Sequence, residues 1–171
     1  NKASDYTDFD VETVQLIGSE IWRIVCRQRS ENALRLATQV VNASPAVCFR
    51  WAATDGWPVV FVSENVAQWG YKAHDLQSGK PVFADMVHPD DLQRIGDEVA
   101  RHCASGATEY EQEYRILTAE NRVIWVVDRT IVQRNDTGAP EFFSGVLTDI
   151  TERRRQQSEL NDALQQQKKL N

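Results

Sequence analysis

The stretch Gly145-Val146-Leu147-Thr148-Asp149-Ile150-Thr151-Glu152-Arg153 decides the fold, because an apolar strand ends within it and a charged helix begins. Residues 145–150 have the apolar content of a buried strand. Thr151 can cap the helix that follows, and Glu152 is well placed against the positive end of that helix. The order of these residues predicts a junction at which a sheet is joined directly to a helix.

Upstream of this junction, the pattern predicts two strands, then several helices, then three strands. Asp55-Gly56 suits the tight turn of a hairpin, and His88-Pro89 begins a helix that runs to about Cys103. This order favours an α+β fold with a five-stranded antiparallel sheet and helices on one face. The strands are predicted at residues 46–53, 58–62, 108–117, 122–134 and 141–150.

A second group of residues lies after the hairpin. Ser63 is placed to cap a short helix, and Gly70 to end it. Together with Asn65, Tyr71 and the triplet Asp149-Ile150-Thr151, these residues resemble the Ser-x-Asn entry, the Gly-Tyr exit and the Asp-Ile-Thr ending of PAS sensor domains. The resemblance covers about residues 43–151. It implies a signalling module rather than an enzyme.

Long helices are predicted on both sides of this region. Residues 10–42 have helical spacing, which predicts one long helix or two with a soft joint. A boundary is expected at residues 27–32, where charges interrupt the apolar stripe. The first thirty residues resemble the closing helix of a GAF domain, although a generic amphipathic helix is the alternative. We therefore divide the chain into a helical linker (1–43), a PAS domain (44–151) and a coiled-coil linker helix (152–171), and expect it to belong to a longer protein.

The apolar stripe of the C-terminal helix is narrow, with leucines only at Leu160, Leu164 and Leu170. The strand over 122–134 is apolar on both faces, so its outer face needs cover. We expect a homodimer through the flanking helices and the outer face of the sheet. The helix before Pro45, or its copy in a partner, is the expected cover.

Composition limits the possible partners and the compartment. The formal net charge of -6 and the pI near 5.1 argue against nucleic-acid binding, which needs clustered Lys and Arg. No apolar run reaches the roughly 18 residues of a membrane span, so we expect no membrane contact from this segment. Cys26, Cys48 and Cys103 form no CxxC pair, which favours reduced thiols in the cytoplasm. The parent protein could be soluble or membrane-attached.

No catalytic or metal-binding residues are predicted. The chain lacks a Gly-x-Ser-x-Gly elbow and nucleotide-binding glycine motifs. Of the histidines His74, His88 and His102, the last two suit the two ends of one helix, so haem ligation is disfavoured. Blue-light relatives of PAS domains carry a reactive Cys after the Gly-Tyr exit, but residues 70–77 have none. We expect no cofactor, with a flavin stacked non-covalently among tryptophans as the alternative.

Two sets of functional residues are predicted. Strand parity selects residues to line a pocket for a possible small-molecule ligand: Phe49, Val60, Val62, Trp69, Tyr114, Trp125 and Phe143. The second set transmits a signal to the C-terminal helix: Asp149, Ile150 and Thr151.

The leading hypothesis is a sensory or relay module. Its parent would carry a histidine kinase or a cyclic-dinucleotide enzyme as the output domain. The alternatives are a structural dimerisation domain that binds no ligand and a flavin-binding redox sensor.

Overall fold

A computed structural model of the chain describes the backbone of residues 8–170 and the side chains of residues 20–167. The chain separates into two compact units, residues 1–40 and 41–171. Its elements in chain order are α1 (Asp8–Asn42), β1 (Val47–Ala52), β2 (Val59–Val62), a 3-10 helix (Glu64–Trp69), α2 (Ala73–Gln77), α3 (Phe83–Met86), α4 (Pro89–Ala104), β3 (Glu109–Leu117), β4 (Val123–Arg134), β5 (Pro140–Asp149) and α5 (Thr151–Leu170).

Helix α1 is a single helix of 35 residues, which is about 50 Å long at 1.5 Å per residue. The boundary expected at residues 27–32 is absent. Charged and amide side chains there pair along the helix, Arg27 with Glu31 at 2.7 Å and Gln28 with Asn32 at 3.4 Å. Pairs at this spacing support a helix rather than interrupt it.

The sheet is antiparallel throughout, with the strand order β2-β1-β5-β4-β3. This confirms the predicted five-stranded α+β architecture, and no strand end differs from the predicted one by more than one residue. The chain leaves the sheet after β2, forms the 3-10 helix and α2–α4, and returns along the opposite edge as β3. The last strand, β5, therefore lies at the centre of the sheet, between β1 and β4.

The 3-10 helix and α2–α4 supply buried side chains that pack with one face of the sheet in a single apolar core. From the helices come Trp69, Leu76, Phe83 and Ile95, and they meet Phe49, Trp51, Tyr114, Val126 and Leu147 of the sheet. The rings of Phe49 and Trp51 stack 5.1 Å apart at 4°, and Phe83 meets both edge-on. Aromatic packing of this kind adds to the burial energy of the core.

Local contacts explain how the helices begin and end. His88 caps α4, since its Nδ1 accepts a 3.2 Å hydrogen bond from the amide of Asp90, as the sequence predicts. Gly70 ends the 3-10 helix with φ of 82°, which glycine adopts without strain. Ser63 occupies the predicted N-cap position, but its side chain does not cap the helix. Its hydroxyl accepts from the amide of Cys48 and donates to Asn65 instead, which ties the 3-10 helix to β1.

The opposite face of the sheet carries apolar side chains that are open to solvent. Ile131 is 56% exposed, and Val123 and Val146 are nearly as exposed. The sequence predicted that this face of β4 needs cover, and which surface covers it stays a prediction.

Within residues 8–170, no helix combines the length and the apolar character needed to cross a membrane.

Candidate ligand cavity and helix junction

A cavity of about 20 Å³ lies inside the domain, between the inner face of the sheet and helices α3 and α4. A cavity of this size has room for about one water molecule. In this conformation the cavity is closed to organic ligands of any class, because pockets for such ligands have roughly 300 Å³ or more. Six of the eleven residues that line the cavity are aromatic: Trp51, Trp57, Phe83, Tyr110, Tyr114 and Phe143.

One carboxylate is buried in the wall of this cavity. Asp128 occupies a core-facing position of β4 and is 5% exposed. The hydroxyl of Tyr114 donates a 2.8 Å hydrogen bond to its Oδ2, and the hydroxyl of Thr130 donates one of the same length to its Oδ1. Burial raises the pKa of Asp128 to about 6, although both hydrogen bonds act in the opposite direction. The group is therefore mainly ionised at neutral pH, inside an apolar core.

Two tyrosines share this environment. Burial and the nearby charge of Asp128 raise the pKa of Tyr114 far above its usual range, and they raise that of Tyr110 as well. Both phenols therefore stay neutral and can donate hydrogen bonds. The imidazole of His102 stacks on the ring of Tyr110 at 4.7 Å, so this histidine packs against the cavity wall from the end of α4.

The structure places the seven predicted pocket residues in three settings. Tyr114 and Phe143 line the cavity, whereas Phe49, Val62 and Trp69 are buried in the core outside its lining. The inward placement of the other two residues is wrong. Val60 is 50% exposed, and Trp125 lies on the outer face of β4.

Both errors have a structural cause. A bulge between Arg50 and Trp51 pairs these residues with Phe61 and Val59, so Val60 has no partner and the alternation of β2 is interrupted. In β4 the core-facing positions are the even-numbered ones, which puts Trp125 outside.

The three predicted transmission residues form a compact junction between β5 and α5. The amide of Ile150 donates a 2.8 Å hydrogen bond to the carbonyl of Trp125. The amide of Trp125 donates at 2.9 Å to the hydroxyl of Thr151, and the amide of Thr151 donates at 2.8 Å to Oδ1 of Asp149. The side chain that serves the end of the helix is therefore Asp149. Thr151 does not cap the helix as predicted but joins it to β4.

Side chains strengthen this junction on the outer face of the sheet. The guanidinium of Arg154, in the first turn of α5, lies 3.7 Å from the ring centroid of Trp125 and also bonds the carboxylate of Glu113 on β3. The guanidinium of Arg115 stands 5.5 Å from the same ring. Contacts between a cation and an aromatic face are attractive. The first turn of α5 is thus attached to two strands.

A further pair extends this network to α4. Arg115 donates from its Nε at 2.9 Å and from its Nη2 at 2.7 Å to the carboxylate of Asp91, and the amide of Arg115 binds the same carboxylate. These hydrogen bonds lower the pKa of Asp91 to about 2. The sequence analysis did not predict this pair, for which the only signal is an acid followed 24 positions later by an arginine.

The polar groups do not form a metal site. Among residues whose side chains are described, no three His, Cys, Asp or Glu side chains lie close enough together to hold a metal ion. Cys26, Cys48 and Cys103 are free thiols.

Comparisons with known proteins agree with this architecture. The profile of a family described as PAS fold matches residues 59–147. A methyl sulfide methyltransferase-associated sensor of Methanosarcina acetivorans is 38% identical over 125 residues, which is 73% of this chain and 12% of that protein. The chain spans 12% of the length of a second curated relative, from Sinorhizobium fredii, to which it is 28% identical.

Solved structures match over most of the domain. A sensory box histidine kinase/response regulator of Burkholderia thailandensis superposes with a TM-score of 0.60 at 24% identity, over 80% of this chain and 98% of that chain. The N-terminal domain of a diguanylate cyclase with a PAS/PAC sensor, from Marinobacter aquaeolei, gives 0.54 at 20% identity, over 64% and 98%. At such identities these matches establish the fold alone.

Proposed function

This chain belongs to the PAS fold family, and we propose that it is a sensory or relay module that passes a conformational signal through residues 149–151 to helix α5. The observation that carries the proposal is the pair of hydrogen bonds between Trp125 and the junction, one from the amide of Ile150 and one to the hydroxyl of Thr151. A shift of β4 would move the start of α5, because these two hydrogen bonds join Trp125 of β4 to residues 150 and 151.

In the proposed relay, the Arg154 contacts are made in one state and released in the other. In the structure, the guanidinium of Arg154 lies over the ring of Trp125 and bonds the carboxylate of Glu113. The side chains of Arg154 and Glu113 are each 43% exposed. Partly exposed contacts of this kind contribute little, on the order of 1 kcal/mol. A small change in the sheet is therefore enough to release them and to change the angle or rotation of α5.

Helix α5 has the properties of a coupling element. Leu160 and Leu164 are four positions apart, so they lie on one face of the helix, and they are 55% and 47% exposed. The side chain of Leu170 is outside the described residues. A second copy of this chain, through α5 and the outer face of the sheet, is the partner that we propose.

Sedimentation of the purified chain at several concentrations tests the dimer. Leu160→Lys is expected to weaken the dimer. Ser158→Lys, a change of equal charge away from the leucine face, is the control. The dimer proposal is refuted if the wild-type chain is a monomer at every concentration or if both variants associate equally.

The relay is tested by the output activity of the full-length protein that carries this domain. Thr151→Val preserves the shape of the side chain but removes the acceptor for the Trp125 amide, while Thr151→Ser preserves the hydroxyl. We expect the Thr151→Val variant to uncouple output from stimulus and the Thr151→Ser variant to retain coupling. Equal signalling by both variants would refute the relay through this junction.

The remaining parts of the proposal concern the whole protein. The solved relatives include parts of a histidine kinase and of a diguanylate cyclase, so either is a suitable output domain. A cytoplasmic setting is supported by three free cysteines. A dimerisation module without a ligand is the second candidate, and the observation that favours it is the small volume of the cavity.

A further inference from the structure

We propose that the interior of this domain binds a small organic cation, with the carboxylate of Asp128 as its counter-ion and the indole of Trp57 as the gate through which it enters. The inference rests on the proposed sensory function and names the chemical class of the ligand. Its basis is a buried carboxylate without a positively charged partner among the described side chains, an aromatic wall around it and a strained residue between the cavity and solvent.

The charge of Asp128 is not compensated. Its two hydrogen-bond donors, Tyr114 and Thr130, are neutral hydroxyls. Among the side chains of residues 20–167, no Lys, Arg or His forms a salt bridge with it. Buried charges in proteins are usually paired, because removing a lone charge from water is costly. A ligand that brings a positive charge removes this cost, whereas an anionic ligand increases it.

The wall of the cavity suits the same class of ligand. The faces of aromatic rings attract cations, most strongly where water is excluded. Trp51 and Phe83 line the cavity together with the tyrosines. An ammonium or amidinium group on a compact apolar body matches these features.

The route to this cavity begins at a surface groove of about 450 Å³ between the β1–β2 turn and α4. Trp57, Val99 and Phe143 line both the groove and the cavity, so they form the wall between them. The volume of the groove lies within the usual range for ligand pockets. Displacing the wall joins the groove to Asp128.

Trp57 is the movable part of this wall. It has φ of 48°, a left-handed conformation that a bulky residue rarely adopts and that costs energy. Its indole is half-buried and lies over Gly96 of α4, with Cη2 3.9 Å from the position that a Cβ would occupy there. A residue held in strain in the β1–β2 turn changes its conformation at lower cost than a residue in a regular strand.

The test uses benzylammonium as the probe, with benzyl alcohol and benzoate as its neutral and anionic counterparts. Binding to the purified chain is measured by calorimetry near pH 8, about two units above the pKa of Asp128, where its carboxylate is ionised. We expect saturable binding of benzylammonium, with benzyl alcohol at least about tenfold weaker and benzoate not bound. Asp128→Asn is expected to remove the preference for the cation, while Asp136→Asn, at an exposed turn, preserves it.

The gate is tested by association rates. Trp57→Gly relieves the strain at this position and removes the indole, so benzylammonium should associate faster than with the wild type. Trp57→Phe retains an aromatic gate and should differ little. Equal rates for all three proteins would refute the gate.

The ligand class is refuted if benzylammonium does not bind at up to about 10 mM, if the alcohol binds equally well, or if Asp128→Asn binds the cation like the wild type. These outcomes leave the relay untouched, because the Thr151→Val test measures the output of the full-length protein and not the binding of benzylammonium. Loss of coupling in Thr151→Val together with no cation binding would refute only the ligand.

Discussion

Replacing Asp128 by Asn should make the domain more stable at neutral pH. Burial raises the pKa of this carboxyl from 3.8 to about 6, a difference of about two units. Each unit corresponds to about 1.36 kcal/mol, so ionised Asp128 costs the folded state on the order of 3 kcal/mol. The amide has a similar shape and no charge, and its oxygen can still accept one of the two hydroxyl hydrogen bonds.

The dependence on pH has a definite sign. Between pH 6 and pH 4, the folded state binds a proton at Asp128 that the unfolded state does not bind. The contribution of this group to stability therefore falls as pH rises from about 4 to about 6 and is constant above that range. The advantage of Asp128→Asn should be greatest at pH 7, by up to about 3 kcal/mol, and should disappear near pH 4.

Urea unfolding of both proteins from pH 4 to pH 8 measures this difference. Asp136→Asn, at the exposed turn between β4 and β5, is the control and should show no comparable trend. The reasoning is refuted if the difference between Asp128→Asn and the wild type does not change with pH. It is also refuted if the variant is the less stable protein at pH 7.

Other expected outcomes concern the packing and the junction. The Asp91→Asn variant should have a free energy of unfolding about 2 kcal/mol lower than that of the wild type at pH 7. The wild type should lose the same stability only as pH falls from about 4 to about 2, and urea unfolding at pH 7 and over that range checks both. Gly145→Ala should lower stability by roughly 3 kcal/mol or more, because a Cβ there would lie 2.5 Å from Cζ3 of Trp51; an unchanged melting temperature would contradict this. Thr151→Val should speed hydrogen exchange of the Trp125 amide, measured by NMR, and equal rates would contradict the observed bond.

The sequence predicts the sheet well where strand alternation is clear. In β3 the glutamates at 109, 111 and 113 are exposed, and Gln112, Tyr114 and Ile116 are buried, as expected for a half-buried strand. The Asp-Ile-Thr triplet predicted the change from strand to helix to within one residue, since β5 ends at Asp149 and α5 begins at Thr151. Local periodicity and local turn residues carry this information.

Contacts between distant residues were not predictable in the same way. The bulge that exposes Val60 depends on how β1 pairs with β2, and the Asp91–Arg115 pair depends on the docking of α4. The sequence did contain a signal for Asp128, because it shares strand parity with Val126 and Val132, which predicts an acid in the core. The sequence analysis used only the apolar residues of β4 to define the two faces of this strand, and it did not assign the polar residues, Asp128 among them, to either face.

The central claim is that α5 carries the signal. A series of alanine insertions between Gln166 and Gln167 rotates everything that follows by about 100° for each residue. The account predicts that output activity of the full-length protein is altered by inserting about half a heptad and restored by a full heptad, which returns a coiled coil to its original phase. Output that falls steadily with insertion length, or that does not change at all, would contradict it.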